Sequence, residues 1–225
     1  MPGEAVPALL PALDLLGVFA NAILGGGIAR QHRLDPIGFA ALAIFSGLGG
    51  GILRDVLLQQ GPPIALTDEA YLPTALGGAA VAFALRWESK NVKLLGTLID
   101  ALALGGWAAV GSQKTLLFGF GWLPAVLLGT VTAVGGGVMR DVIVGRIPTI
   151  FGGNTLYATC AIIAGGVTVI MEYIGLGQWG PIVATFAGAA LVLLARWRGW
   201  MLPMEVEWRR PAEYLPHLPH RRKEN

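Results

Sequence analysis

A seven-residue stretch occurs twice in this chain, with five of its positions identical. Gly49-Gly50-Gly51-Ile52-Leu53-Arg54-Asp55 returns 86 positions on as Gly135-Gly136-Gly137-Val138-Met139-Arg140-Asp141. Both copies lie inside long apolar runs, so each joins two costly features. Glycine weakens a helix by about 1 kcal/mol per residue relative to alanine. A charge at membrane depth costs about 2.5 kcal/mol or more and normally faces a partner or water. A chain that accepts both penalties twice, at matching positions, points to a functional reason for them.

The surrounding composition says where the runs reside. Charged residues are 13% of the 225 and hydrophobic ones 54%, with a mean hydropathy of +0.63. A soluble domain carries about 25% charged residues, so the chain reads as an integral membrane protein. The 33 glycines suit tightly packed spanning helices. The single cysteine, Cys160, excludes an intramolecular disulfide and reads as a small core residue. Met1-Pro2-Gly3-Glu4 lacks the basic region of a cleaved signal peptide, so the first apolar run is expected to remain.

A crossing helix needs about 20 apolar residues. That measure predicts an all-α membrane protein with seven spans, near 8–28, 37–58, 71–87, 93–111, 120–144, 154–174 and 180–197. Lysine and arginine set the orientation. Arg30, Arg33, Arg86, Lys90, Lys93, Arg146 and the tail residues Arg196, Arg198, Arg209, Arg210, Arg221, Arg222 and Lys223 fall on one side; Lys114 alone falls on the other. The N-terminus is therefore expected outside and the C-terminus in the cytoplasm. Trp107, Trp122 and Trp179 are expected near outer span ends, Trp87 and Trp197 near inner ones.

The 86-residue shift aligns more than the motif. Asp14 falls on Asp100, Ser46 on Thr132, Pro62 on Pro148 and Tyr71 on Tyr157. This register argues for a repeat of three helices, residues 8–87 and 93–174, followed by a seventh helix at 180–197 and a polar tail at 198–225. Three is odd, so the second copy enters the membrane from the opposite face and the repeats are inverted. Inverted halves with glycine-interrupted helices at matching places point to a solute pathway between them.

Gly-Gly-Gly-x-x-Arg-Asp in the second and fifth helices of a 3+3+1 chain resembles the bacterial trimeric intracellular cation (TRIC) channels, a family that overlaps the glycine-transporter-domain membrane proteins. The likeness runs from about residue 10 to 198. It implies a homotrimer in the bacterial plasma (inner) membrane, with one pore per subunit lined chiefly by helices two and five. It also implies weakly selective, potassium-permeable conduction, with pore residues on Gly49, Gly50, Gly51, Arg54 and Asp55 and on Gly135, Gly136, Gly137, Arg140 and Asp141. The lysine motif with which animal members bind lipid has no clear counterpart here.

Residue chemistry leads to a similar expectation. Where a helix breaks, carbonyls lose their N–H partners and must meet water, protein or an ion. The helix dipole adds negative potential there, which favours a cation. Residues 45–48 and 131–134 would present such carbonyls, with Ser46 and Thr132 adding hydroxyl oxygens. The alternative is that the glycines only allow close packing. Gly25-Gly26-Gly27 precedes no Arg-Asp and reads as the stop of the first helix.

Arg54 and Arg140 would repel a cation unless neutralised or mobile. Their depths suggest two pairs, Asp14 with Arg54 and Asp100 with Arg140, one at each mouth, acting as gates or as ordinary ion pairs between helices. Asp55 and Asp141 would cap a second half-helix or hold a neighbouring helix. Pro62 and Pro148 would end the helix exits, and Tyr71 and Tyr157 would sit at interfaces or hydrogen-bond across the repeat. His32, His217 and His220 lack metal-ligand spacing. No nucleophile–base pair, phosphate loop or metal motif is present, which argues against an enzyme. A net charge of +2 that tracks topology gives no case for nucleic acid.

The expectation is a monovalent cation channel that carries potassium (or sodium) as permeating ion, needs no cofactor, and has membrane lipids and its own copies as partners. A secondary transporter of a small solute such as glycine is the rival reading, and a membrane scaffold without a path is another.

Overall fold

The structure is a computed structural model and describes residues 9–85, 89–151 and 156–201. Arg86, Trp87 and the basic tail beyond Met201, with His217 and His220, lie outside the described residues. Among those described there are helices and no strands: α1 (Leu9–Gln31), α2 (Pro36–Leu58), α3 (Ile64–Thr67), α4 (Tyr71–Ala84), α5 (Lys90–Leu117), α6 (Trp122–Ile143), α7 (Tyr157–Tyr173) and α8 (Gly180–Arg198). Short 3-10 turns at Thr149–Phe151 and Gly177–Trp179 precede α7 and α8.

Local sequence explains the ends. Asp35 caps α2 by accepting a 2.7 Å hydrogen bond from the Gly38 N–H, and Pro36 occupies the first turn, where its missing N–H costs nothing. Gln59 turns left-handed at φ 51° and closes that helix. Gly199, at φ 65°, closes α8.

Five helices, α1, α2, α5, α6 and the stretch Gly177–Arg198, are long and apolar enough to cross a membrane. The 14-residue α4 and 17-residue α7 are apolar but shorter, and they occupy matching places in the repeat. Outward faces carry large apolar side chains, such as Ile37, Phe83, Leu123 and Phe186, as lipid contact requires. The interior is built from small residues: Ala22, Ala29, Ala43, Ala75, Ala101, Ala108, Ala161 and Ala164 are fully buried. Small side chains let helix axes approach and gain dispersion contacts in place of a hydrophobic driving force.

α1 packs on α2 and α4; α5 packs on α6 and α7; and the two groups meet where α2 crosses α6 and α1 meets α5. α8 lies against α5 and α7.

The glycine triplets correct the sequence reading. α2 runs unbroken through Gly49–Gly51 and α6 through Gly135–Gly137, so carbonyls 45–48 and 131–134 are not released by a break. Nor do Gly25–Gly27 stop α1, which continues to Gln31. A Cβ on Gly25 would lie 2.6 Å from the Ser46 Cβ and 2.9 Å from the Leu42 carbonyl oxygen, so this glycine serves close packing. The cost of glycine is offset by the contacts its missing Cβ allows. Trp107 likewise is not at an interface: it is 1% exposed, inside the bundle. Trp122, Trp179 and Trp197 are exposed.

Candidate functional site

The α2–α6 crossing is built by the doubled glycines, and its contacts are reciprocal. A Cβ on Gly50 would run into the Thr132 carbonyl, and one on Gly136 into the Ser46 carbonyl. Gly49 faces Met139 Sδ, and Gly135 faces Leu53 Cδ1 at 3.0 Å. Each of these pairs becomes the other under the 86-residue shift. Gly51 and Gly137 are different: a Cβ there would meet only an arginine, Arg54 Nη2 at 3.8 Å and Arg140 Nη2 at 3.6 Å. Thus two glycines of each triplet seat the partner helix and the third leaves room beside its own arginine. Ser46 and Thr132 lie fully buried at the crossing; the Thr132 hydroxyl donates to the Leu128 carbonyl at 2.6 Å, while Ser46 Oγ has no partner.

At one end of the crossing, Arg54 is wholly buried. Its Nη2 lies 3.2 Å from Asp14 Oδ2, the pair expected from depth, and its Nε donates to Asp55 Oδ1 at 2.8 Å. The Tyr71 hydroxyl donates to Asp14 Oδ2 at 3.0 Å. Lys114 Nζ, from the last turn of α5, donates to Asp55 Oδ1 at 2.8 Å. Asp55 Oδ2 accepts from the Ile64 N–H, tying down the chain that leaves α2. Two cations thus meet two carboxylates, as buried charges require. Arg54 Nη1 is buried and has no partner. A cavity of about 30 Å³ touches Asp55, Lys114, Pro62 and Phe118.

At the other end the parts correspond but the pairing does not. Tyr157 donates to Asp100 Oδ1 at 2.8 Å, as Tyr71 does to Asp14. Asp100, however, is met by Arg196 of α8. Arg140 turns instead to Asp141, Nε to Oδ1 at 3.4 Å. The expected Asp100–Arg140 pair is therefore corrected: α8, which has no counterpart in the first half, brings a competing guanidinium. Asp141 also accepts from Arg146 Nη2 at 2.9 Å and from the Thr149 N–H at 3.2 Å. Neither Asp55 nor Asp141 caps a half-helix; each holds the loop that follows its own helix, and Asp55 also holds α5. Each tyrosine bonds within its own half, not across the repeat.

A cavity of about 200 Å³ opens here, lined by Asn21, Asp100, Gly137, Arg140, Tyr157 and Arg196 among others. Charge and polar groups on its wall give room for a hydrated ion or a small polar solute. Among the described residues no group of three or more His, Cys, Asp or Glu could hold a metal.

Sequence reasoning missed Lys114, Arg196 and Asn21. In the sequence Lys114 and Arg196 read only as topology markers. Under the shift Lys114 falls on Ile28 and Asn21 on Trp107, so matching polar residues between halves passes over them. The available signal was Lys114 itself, a cation in the last turn of α5 and the only one the topology count leaves on its side of the membrane.

The family model described as glycine transporter matches the chain twice, over residues 11–87 and 97–173. A membrane protein of Deinococcus radiodurans described as UPF0126 is 35% identical over 208 residues, covering 91% of this chain and 92% of that one. The UPF0126 inner membrane protein YadS of Escherichia coli K12 is 33% identical over 162 residues, 72% of this chain and 78% of that one. A solved structure reported for conductance through TRIC cation channels superposes with a TM-score of 0.80 at 30% identity, covering 87% of this chain and 97% of the other. The TRIC orthologue from Rhodobacter sphaeroides does so with a TM-score of 0.75 at 28% identity, over 85% and 96%.

Proposed function

The chain belongs to the glycine-transporter family and shares its fold with solved TRIC cation channels, and on that premise we propose that it is a potassium-permeable monovalent cation channel. The observation that carries this reading is the pair of polar clusters at either end of the α2–α6 crossing, each holding an aspartate, a tyrosine and an arginine inside an apolar bundle. Buried charge of this kind in a membrane protein marks an ion or solute path.

In this reading α4 and α7 complete seven spans. The halves at 8–87 and 93–174 are inverted about an axis through the α2–α6 crossing, α8 stands outside them, and residues 198–225 form a cytoplasmic tail. The reciprocal glycine contacts and the two family-model matches support that arrangement. The Asp55 end then faces outward and the Asp141 end the cytoplasm, with the N-terminus outside. The protein works in a bacterial inner membrane as a homotrimer with one path in each subunit, as the likeness to trimeric channels suggests. Gly51 and Gly137 leave space beside the path, Gly49, Gly50, Gly135 and Gly136 hold the helices that line it together with Ser46 and Thr132, and Arg54 with Asp14 and Asp55, and Arg140 with Asp100 and Asp141, control its two ends. Potassium is the permeating ion, with no cofactor.

The family's description favours a second reading, a carrier of glycine or a similar small solute. Inverted halves suit alternating access equally well. Reconstitution in a planar bilayer with symmetric potassium chloride separates the two. Unitary current steps are expected. Saturable, electrically silent glycine uptake without such steps would replace the channel with the carrier.

A further inference from the structure

Before its last turn, α1 carries two polar side chains in an otherwise apolar helix, Asp14 and Asn21. Seven residues are two helical turns, so both lie on one face, about 10 Å apart along the axis. Asp14 holds Arg54 in the cluster at one end of the crossing. Asn21 lines the cavity of about 200 Å³ at the other.

The depth of that cavity follows from the helices that wall it. Asn21 comes one residue after Ala20, the middle of α1, and Val134 stands just past the middle of α6. From Val134 the wall continues to Asp141, about 10 Å further along α6, and to the loop residues Pro148 and Thr149. The cavity thus starts at a loop and reaches half-way through two spanning helices, with Asn21 at its inner limit.

The wall's charges are already engaged. Arg196 meets Asp100 and Arg140 meets Asp141, so they leave no net charge. Asn21 and Asp141 are the buried polar residues of the wall. Asp141 accepts from Arg140, Arg146 and the Thr149 N–H. Asn21 is only 5% exposed, and no hydrogen bond among the described residues reaches its carboxamide. Leaving a buried amide unpaired costs about 1–3 kcal/mol. A second unpaired group is close: Ser46 Oγ is buried without a partner, and Ser46 Cβ lies 2.6 Å from where a Cβ on Gly25 would stand, one turn from Asn21 on the same face.

We infer that Asn21 is a cation ligand at the inner limit of this vestibule, its carboxamide oxygen replacing water on a monovalent cation at mid-membrane. Neutral oxygens serve this purpose in ion pathways, because they substitute for hydration without holding the ion too tightly to leave. The inference rests on the channel reading and adds to it a residue on which the choice of ion depends.

Potassium protection of a thiol in the same cavity tests it on the full chain in lipid nanodiscs. In a Cys160→Ser background, Gly137→Cys puts a thiol on the cavity wall, where a Cβ meets only Arg140 Nη2 at 3.6 Å. Saturating potassium, compared with N-methylglucamine at equal ionic strength, is expected to slow its reaction with a cationic methanethiosulfonate reagent about threefold, since an occupied site excludes the reagent. Asn21→Leu, similar in size but without polar atoms, should abolish the protection. Asn21→Asp, with two oxygens and a charge, should deepen it. Undiminished protection in Asn21→Leu would overturn the inference, as would no protection with Asn21 in place. Asn21→Asp keeps the side chain's shape, so protection there no greater than the parent's would overturn it even where the leucine variant fails to fold. Protection by glycine and not by potassium would likewise overturn it and give the cavity to the carrier. Absence of unitary current from the unaltered protein counts against the channel reading alone, because protection reads binding and not flux.

Discussion

Arg54 and Arg140 hold the same place in the repeated motif, yet their surroundings assign them different work. Arg54 has no exposed surface and is bonded to Asp14 and Asp55. Removing one partner from a buried pair leaves a charge uncompensated, so Asp14→Ala should cost about 3 kcal/mol or more. Asp100 and Arg196 keep side-chain exposures of 19% and 30%, where pairs are screened and Asp100→Ala should cost about 1 kcal/mol. Unfolding midpoints in a graded detergent series would compare the two; equal losses would contradict the difference in burial. Arg140, with one long contact to Asp141 and a cavity beside it, is held by fewer and longer contacts than Arg54. A charge crossing the full field gains about 2.3 kcal/mol per 100 mV, so Arg140→Gln should flatten the voltage dependence of the current. Unchanged voltage dependence in bilayer recordings would remove Arg140 from gating. The Asp14–Arg54 contact was legible because both residues are rare, charged and at one depth. The Lys114–Asp55 contact was not, because the two residues lie 59 positions apart on different helices and the repeat register sets Lys114 against Ile28.

At the scale of the helix, the triple glycines carry two meanings that sequence cannot separate. A break and a close crossing both call for missing side chains, and helix propensity is the same in either case. The continuity of α2 and α6 decides for crossing. It also separates the glycines from one another. A Cβ at Gly50 or Gly136 meets the backbone of the partner helix, which cannot swing aside, so Gly50→Ala and Gly136→Ala should each lose about 1–3 kcal/mol through overpacking. Gly51→Ala and Gly137→Ala meet only the tip of an arginine and should instead gain up to about 1 kcal/mol from better helix propensity. The same detergent unfolding series reads the sign. Destabilisation of similar size at all four positions would mean that Gly51 and Gly137 are packed as closely as Gly50 and Gly136, against the space seen beside them.

At the scale of the whole molecule, the repeat was readable because rare polar residues recur in one register, and the family model matches at the same spacing. What could not be read is how α8 changes the second half. It follows the repeat, has nothing to align with, and its Arg196 looked like one more basic residue at a span end. In the fold Arg196 takes Asp100, so the second half cannot reproduce the Asp14–Arg54 pair of the first. Arg140 and Asp100 nevertheless line one cavity. Removing Arg196 should therefore free Asp100 to receive Arg140. A double-mutant cycle of Arg140→Gln and Asp100→Asn should show little coupling in the parent chain, since the two side chains are not paired there. In Arg196→Ala the same cycle should show coupling of about 1 kcal/mol, because the two groups then share a contact. Voltage dependence should weaken in parallel, as Arg140 exchanges a mobile position for a fixed one. Equal coupling in both backgrounds would mean that α8 does not set the difference between the halves, and that the asymmetry arises within the repeats themselves.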